Sequence, residues 1–556
     1  MDQKRLILAI VLSIIVFVAY HLIFGIPESQ KKPVEKQVQE TQTPVQPAPE
    51  AAPEKDTAAP VVTEKPVSEP GVQRPRREAR IVTVNTPLYQ VKISEDGAVF
   101  ESYVLKEFTE TVASDSPLKQ LLAADGSIRS MEMGFAGKSI TGFENAAFDT
   151  EPQVEELSIT DSPQTLKFSW QSAKGITIEK AFHFVPDSYV VGLVVTVKNQ
   201  SDTTIQDHLT LALRGTAPKD TRMYGFEGPS ALVDDNLIET EMDEIADNPT
   251  QNGNIKWLAL QDRYFMSSLM PENSEEASLK LNLQPGKIIQ AQFVQAETVI
   301  RPGTEHEYKF DIFFGPKSMR VLNSIGNQLN RALDFGWWTF LAKPCLWLMN
   351  AIHDVIPNYG ITIILLTLLI KIFLWPLGAK SYKSMSEMKK IQPLMKEIRE
   401  KYKDDKKKMN EEVMALYRTY KINPLGGCLP MVFQIPVFFA LYRMLYQAIE
   451  LRHAPFFLWI NDLSAPDRLF NFGFSIPFME PPYGIPVLTL VMGASMILQQ
   501  KMSPPMGDPA QAKMMMLMPV VFTVIFINFS SGLVLYWLVN NIFSIAQQYY
   551  TQKKAA

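Results

Sequence analysis

Lys371 is the only charged residue in the apolar stretch Tyr359 to Leu377. Polar side chains recur in neighbouring apolar runs at Gln434, Thr489, Ser495, Thr523, Tyr536, Asn540, Asn541 and Ser544, but none of these runs contains an Asp or Glu. An ammonium offers three hydrogen-bond donors and no acceptor, so without a carboxylate it needs water, polar side chains or an incoming anion. A lysine at the centre of a membrane helix costs about 2.5 to 3.5 kcal/mol, so its presence asks for a reason. Two reasons stay open: the long stem can snorkel towards the nearer membrane surface, or the residue lines a wet polar surface, as Thr367 one turn earlier on the same face suggests. A single Ser or Thr serves well enough as glue between helices. Lys371, Gln434 and the Asn540-Asn541 pair together are met more economically by one shared water-filled cavity. Proton-coupled transport is disfavoured, because the spans from Tyr359 onward hold no titratable carboxylate or histidine and no inverted repeat with interrupted half-helices is evident.

The elements that must position these groups are membrane spans. At 1.5 Å per residue, a run as long as Tyr359 to Leu377 reaches about 30 Å, the thickness of the hydrocarbon core. Five more runs qualify: Leu6 to Phe24, Cys428 to Tyr446, Gly484 to Gln500, Met514 to Phe529, and Gly532 to Gln547. The last two, divided only by Ser530-Ser531, form a tight hairpin. Ala379 to Lys421 carries 13 Lys or Arg against 7 Asp or Glu, and Lys501, Lys513, Lys553 and Lys554 mark the same side. The loop Gln447 to Tyr483, with 2 basic and 4 acidic residues, suits the opposite side. Six spans with both termini cytoplasmic satisfy the positive-inside rule.

The whole chain has 556 residues and a net charge of -5, with 39 Pro and 25 Met. The N-terminal run, preceded by Lys4 and Arg5, is long for a signal peptide and lacks a small-residue cleavage site, so it is expected to stay as an anchor. Glu28 to Ala79 is rich in Pro, Glu, Lys and Gln and has no aromatic residue, which predicts a disordered tether. From Arg80 to Gly315 apolar residues alternate, as in Tyr89-Val91-Ile93, Leu166-Phe168-Trp170 and Tyr308-Phe310-Ile312, and Tyr189 to Lys198 is Val-rich throughout. This period of two predicts a large antiparallel β-sandwich, with the Val-rich run as a central strand. Its histidines, His183, His208 and His306, have no partners at motif spacing, and Gly134 to Ser139 is too short to be a phosphate-binding loop. The two cysteines, Cys345 and Cys428, fall near opposite membrane faces, which predicts no disulfide, and their spacing offers no metal site.

Phe340 to Ile356 shows polar residues at helical spacing against Trp347, Leu348, Met349 and Ile352, as expected of an amphipathic helix in the interface plane, broken or started near Pro344. Within Ala379 to Lys421, Met388, Ile391 and Met395 and then Met409, Val413 and Leu416 recur every three or four residues around a turn at Lys403 to Lys406, which predicts a basic helical hairpin kinked at Pro393. Its charge suits a ribosome or anionic lipids.

The order of these parts, with Asn423-Pro424-Leu425-Gly426-Gly427-Cys428 leading to Gln434-Ile435-Pro436, and with Met518-Pro519, Ser531 to Trp537, Ala454-Pro455-Phe456 and Gln500-Lys501-Met502, resembles the YidC membrane protein insertases of Gram-negative bacteria. The resemblance spans the chain and is most specific over Tyr359 to Gln548. It implies an inner-membrane α-helical protein with a five-helix insertase core, an all-β periplasmic sandwich domain and a cytoplasmic helical hairpin. It divides the chain into an anchor (1–27), a linker (28–79), the periplasmic domain (80–316), a connector with the interfacial helix (317–358), the second span (359–378), the hairpin (379–427), four further spans (428–548) and a cytoplasmic tail (549–556). The implied partners are nascent membrane proteins, the Sec translocon, the ribosome and lipids, with no nucleotide, cofactor or enzymatic activity. By position, Thr367, Lys371, Gln434, Tyr536, Trp537, Asn540 and Asn541 would line a hydrophilic groove open to the cytoplasm. Where the family usually has arginine, this chain has Lys371, which keeps the charge and loses the planar fork. The periplasmic part is similar to sugar-binding supersandwiches, although fold likeness says nothing of sugar binding. The competing reading is a non-inserting scaffold or folding chaperone.

Overall fold

A computed structural model describes residues 79–123, 125–218, 225–420, 429–502 and 509–555. The expected anchor, nearly all of the linker, the Asn423 to Cys428 segment and Lys421 lie outside the described residues.

Ile81 to Pro316 is almost entirely β. Its centre is a nine-stranded sheet in which Val190–Asn199 lies between Ile176–Phe184 and Thr304–Pro316, antiparallel to both. The Val-rich run is thus a central strand, buried by neighbours on each side. Phe310 and Phe314, four residues apart and therefore on one face, touch Phe293 of one five-stranded sheet and Phe100 and Tyr103 of another. Two smaller sheets thereby cover one face of the large one, and their aromatic side chains fill the sandwich. Among the described residues pairing is antiparallel except where Ile81–Asn85 runs parallel to Glu156–Ser158. The glycine-containing loop after Glu132–Phe135 turns back on an acid: the amides of Gly137 and Ser139 donate to the Asp207 carboxylate at 2.6 and 2.9 Å. These amides already hold an anion from the chain itself.

Beyond the sandwich the chain is helical. Helix α1 (Met319–Ile325) leads to α2 (Thr339–His353), which buries Ala342, Leu346 and Met349 and exposes Phe340 and Trp347. This is the predicted amphipathic helix, but Pro344 neither breaks nor starts it. The carbonyl that Pro344 leaves without an amide belongs to the exposed Phe340, where the loss is tolerated. Helix α3 (Tyr359–Lys401) starts at Asn358, whose side chain accepts the amide of Ile361, and runs through Pro376 and Pro393 without interruption. At 43 residues it is about 65 Å long, so no break separates the apolar half from the basic half. Helix α4 (Lys406–Thr419) packs back on that basic half, where Leu416 and Tyr417 meet Met388, Ile391 and Met395.

Four more apolar helices follow: α5 (Leu429–Gln447), α6 (Val487–Met502), α7 (Pro509–Phe526) and α8 (Ser531–Ala555). Among the described residues α3 is the helix that is long and apolar enough to cross a membrane, and only 28% of its most apolar window is buried within the protein. Leu369, Ile372 and Phe373 point outward there, as do Leu517, Val520 and Ile525 of α7. An exposed apolar surface of this extent is stable only against lipid or another protein.

The sandwich is seated on one end of the helices. Arg263 donates to the carbonyl of Tyr446 at 2.7 Å and lies 3.6 Å from the centre of its ring. Arg452, just beyond α5, donates to the carbonyls of Thr109 and Glu110 and reaches over Phe265. This end is also where α3 begins, with Phe456 packed so closely over Gly360 that a β-carbon there would overlap the ring.

Candidate functional site

Helices α3 and α8 run side by side in the same direction, away from the sandwich: Ile363 lies near Gly532, Lys371 near Ser544, and Gly378 near Gln547. Glycines at 378 and 532 let the helices approach. A β-carbon on Gly378 would stand 2.7 Å from the Gln547 amide, which instead donates to the carbonyl of Trp375 at 3.0 Å. The close approach puts Lys371 about 18 Å along α3 from Tyr359, on the flank of α8.

There the Lys371 ammonium donates to the Ser544 hydroxyl at 2.9 Å, and that hydroxyl donates onward to the Asn540 carbonyl at 2.7 Å. The side chain turns across to the neighbouring helix. Among the described residues no carboxylate pairs with it, and Lys371 itself is only half-buried. Two of its three donors therefore remain available.

The other polar residues fall into three groups. Gln434 of α5 donates to the Tyr536 hydroxyl at 2.8 Å, joining α5 to α8 one turn above Asn540. Trp537 packs edge-on against Phe438 at 4.6 Å, and its buried indole N–H has no hydrogen-bond partner among the described residues; neither does the Asn540 side-chain oxygen. Asn541 points elsewhere, to the Ser495 hydroxyl of α6 at 3.0 Å. Thr367 is fully buried and bonds back to the Ile363 carbonyl of its own helix at 2.7 Å. Lys371 is thus brought together with Ser544 and the Asn540 backbone, while Gln434 and Tyr536 pair with each other, and Thr367 and Asn541 bond outside both groups.

Gln547 escaped attention in the sequence. It continues the Asn540-Ser544 stripe by three residues, and its signal was Gly378, a glycine in mid-helix that marks a close approach.

A β-sandwich fixed to one end of a bundle of apolar helices defines a membrane protein with one large domain outside the bilayer. The family model described as "YidC periplasmic domain" matches residues 81–348, and that described as "60Kd inner membrane protein" matches residues 351–556. The chain belongs to the YidC family of inner-membrane proteins with a periplasmic domain. A relative from Syntrophobacter fumaroxidans named membrane protein insertase YidC is 38% identical over 100% of both chains. One of the same name from Geotalea uraniireducens is 39% identical over 99% of each. Among solved structures, a crystal structure of an active YidC insertase with its first transmembrane domain resolved is 17% identical, covers 85% of this chain and 93% of its own, and has a TM-score of 0.37.

Proposed function

We propose that this chain inserts and folds nascent inner-membrane proteins, alone or beside the Sec translocon, and that the surface around Lys371 receives the polar flank of the incoming segment. The observation that carries the reading is Lys371 itself, a cation turned inward onto Ser544 with two free donors and no carboxylate partner among the described residues. An acidic flank that must cross the bilayer meets positive charge part way and a shorter low-dielectric path. The attached hydrophobic helix gains its transfer free energy by moving into lipid. The unpartnered Asn540 oxygen and Trp537 N–H are further groups that a passing peptide or water would satisfy. Gln434 and Tyr536, bonded to each other, stand beside this surface, while Thr367 and Asn541, buried and bonded elsewhere, lie behind it. Lysine attracts by charge without a bidentate grip, which suits cargo that must be released. The role makes and breaks no covalent bond.

The arrangement fits six spans with both termini in the cytoplasm, the sandwich outside, and the α3–α4 hairpin inside, where its basic charge can meet a ribosome or anionic lipids.

The test is reconstitution in liposomes with small membrane-protein substrates. Lys371→Arg retains insertion, whereas Lys371→Leu loses most of it for substrates with acidic flanks and little for those with neutral flanks. Undiminished insertion of the acidic-flank panel by the Leu variant would overturn the electrostatic reading. A Gln434→Cys probe, with Cys345 and Cys428 replaced by Ala, should react with a water-soluble maleimide; a dry, unreactive bundle favours a non-inserting scaffold.

A further inference from the structure

The loop joining α5 to α6 ends in a short antiparallel hairpin, Leu469–Phe472 with Tyr483–Ile485. Its base is locked. Arg468 donates to the carbonyls of Pro482 and Asp467, both at 2.8 Å, and to that of Ile527 at 2.8 Å beyond the C-terminal end of α7, where a cation is favoured. Asn528, in the α7–α8 turn, donates to the Phe478 carbonyl at 3.0 Å and accepts the Glu480 amide at 2.9 Å. The Trp459 indole and the first-turn amide of Leu488 both donate to Asp467. The bonds to Ile527 and those of Asn528 brace the loop against the α7–α8 turn, the amide of Leu488 ties it to the start of α6, and the rest close the loop on itself.

A loop held this firmly nevertheless leaves its largest apolar side chains outside. Phe478 is 82% exposed, Phe470 68% and Phe474 64%, and Phe472 stacks on Phe474. Three phenylalanines so placed withhold from an apolar environment about 1.5 to 3 kcal/mol each. The backbone that carries them is held at Phe478, Glu480 and Pro482 and by the hairpin pairing. Asn528 holds Phe478 beside the end of α7, whose last turns expose Val521, Val524 and Ile525. The patch also lies at the sandwich end of the bundle, the end that carries the exposed Trp337, Phe340 and Trp347 around α2. Its place beside the end of α7 selects the occupant, since aromatic rings concentrate where a helix surface leaves the hydrocarbon for the headgroups.

We infer that the Leu469–Ile485 hairpin is a rigid aromatic anchor seated in the outer-leaflet interface of the bilayer, and that through Arg468 and Asn528 it fixes the depth of the α7–α8 turn. The inference rests on the family's inner-membrane location and is independent of what happens at Lys371.

The test uses the full-length chain with Cys345→Ala and Cys428→Ala, spin-labelled singly at Phe470→Cys, Phe474→Cys or Phe478→Cys in pure-lipid proteoliposomes. The expected result is a several-fold higher ratio of oxygen to nickel-chelate collision rates at these sites than at the control Asn461→Cys. Adding Arg468→Ala should scatter the depths, while insertion activity reports whether the chain is still folded. Nickel-chelate access equal to the control would overturn the inference. So would sites that are accessible in pure lipid and protected only in native membranes, because a protein partner would then be the cover.

Discussion

Lys180 in the sandwich and Lys371 among the helices are held by different means. Lys180 sits on the core face of Ile176–Phe184, between Ile178 and Phe182, and is 1% exposed. Its ammonium donates to the carbonyls of Gly97 at 2.8 Å and Ala98 at 3.2 Å, and lies 5.9 Å from the centre of the Phe148 ring. Burial still pushes it down to about 7, with Glu132 opposing and Arg129 assisting. Lys371 finds one hydroxyl. The difference comes from the backbone. A sheet domain has turns such as Gly97-Ala98 whose carbonyls are not used by a ladder, and a lysine can be closed off on them. Helices consume their carbonyls in i to i−4 bonds, so a lysine between helices must be met by side chains, and what side chains do not satisfy stays open. Lys180 is a closed structural cation; Lys371 is an open one.

The comparison is most exposed to Lys371→Leu. Insertion of acidic-flank substrates should fall roughly tenfold, equivalent to about 1.4 kcal/mol of lost stabilisation. Lys180→Met in the same assay should insert normally. A matching loss in both would erase the distinction between open and closed.

Next comes the pH dependence of the sandwich. A lysine held at about 7 in the fold and near 10.5 when unfolded binds fewer protons folded than unfolded over that interval. Stability should therefore climb as pH rises from about 7 towards 10.5. The sandwich transition of the full-length protein, followed by thermal denaturation at pH 7 and 9.5, should move upward, and Lys180→Met should flatten the rise.

Tyr536→Phe removes the acceptor of Gln434 and should lower the stability of the bundle by about 1 kcal/mol, read as a lower midpoint in thermal denaturation followed by helical signal. The smallest effect belongs to Ser544→Ala. Insertion should stay within about twofold of the unaltered protein, since the charge remains and the lysine has donors to spare. A loss as large as that of Lys371→Leu would mean that the position of the ammonium matters as much as its charge.

Lys371 was legible in the sequence because a cation stands out in an apolar run, whereas Lys180 was not singled out. Its signal was present as a lysine on the apolar phase of an alternating strand, but alternation is noisy and solvated lysines abound in sheets. The strands around Tyr89, Phe168, Val195 and Phe310, and helix α2, were readable because each buries one face at its own period. What sequence grouping blurred was the polar set on α8. Tyr536, Asn540 and Ser544 follow one another every four residues, whereas Asn541, one position on from Asn540, turns about 100° away and meets Ser495 of α6. Proximity in the chain had suggested a shared environment for the Asn pair.

Composition and periodicity by themselves settled that a β-rich domain precedes apolar helices, and that Lys371 stands in the Tyr359 to Leu377 run with no acidic residue beside it, because these depend on local burial and on counting charges. Which hydroxyl receives that cation, which polar groups go unpaired, and how an exposed loop is tied to the turn between α7 and α8 were decided only by tertiary structure. Those outcomes depend on Gly378 and Gly532 letting two helices close to within reach of Lys371 and Ser544, and on Arg468 finding carbonyls from parts of the chain up to 59 residues away.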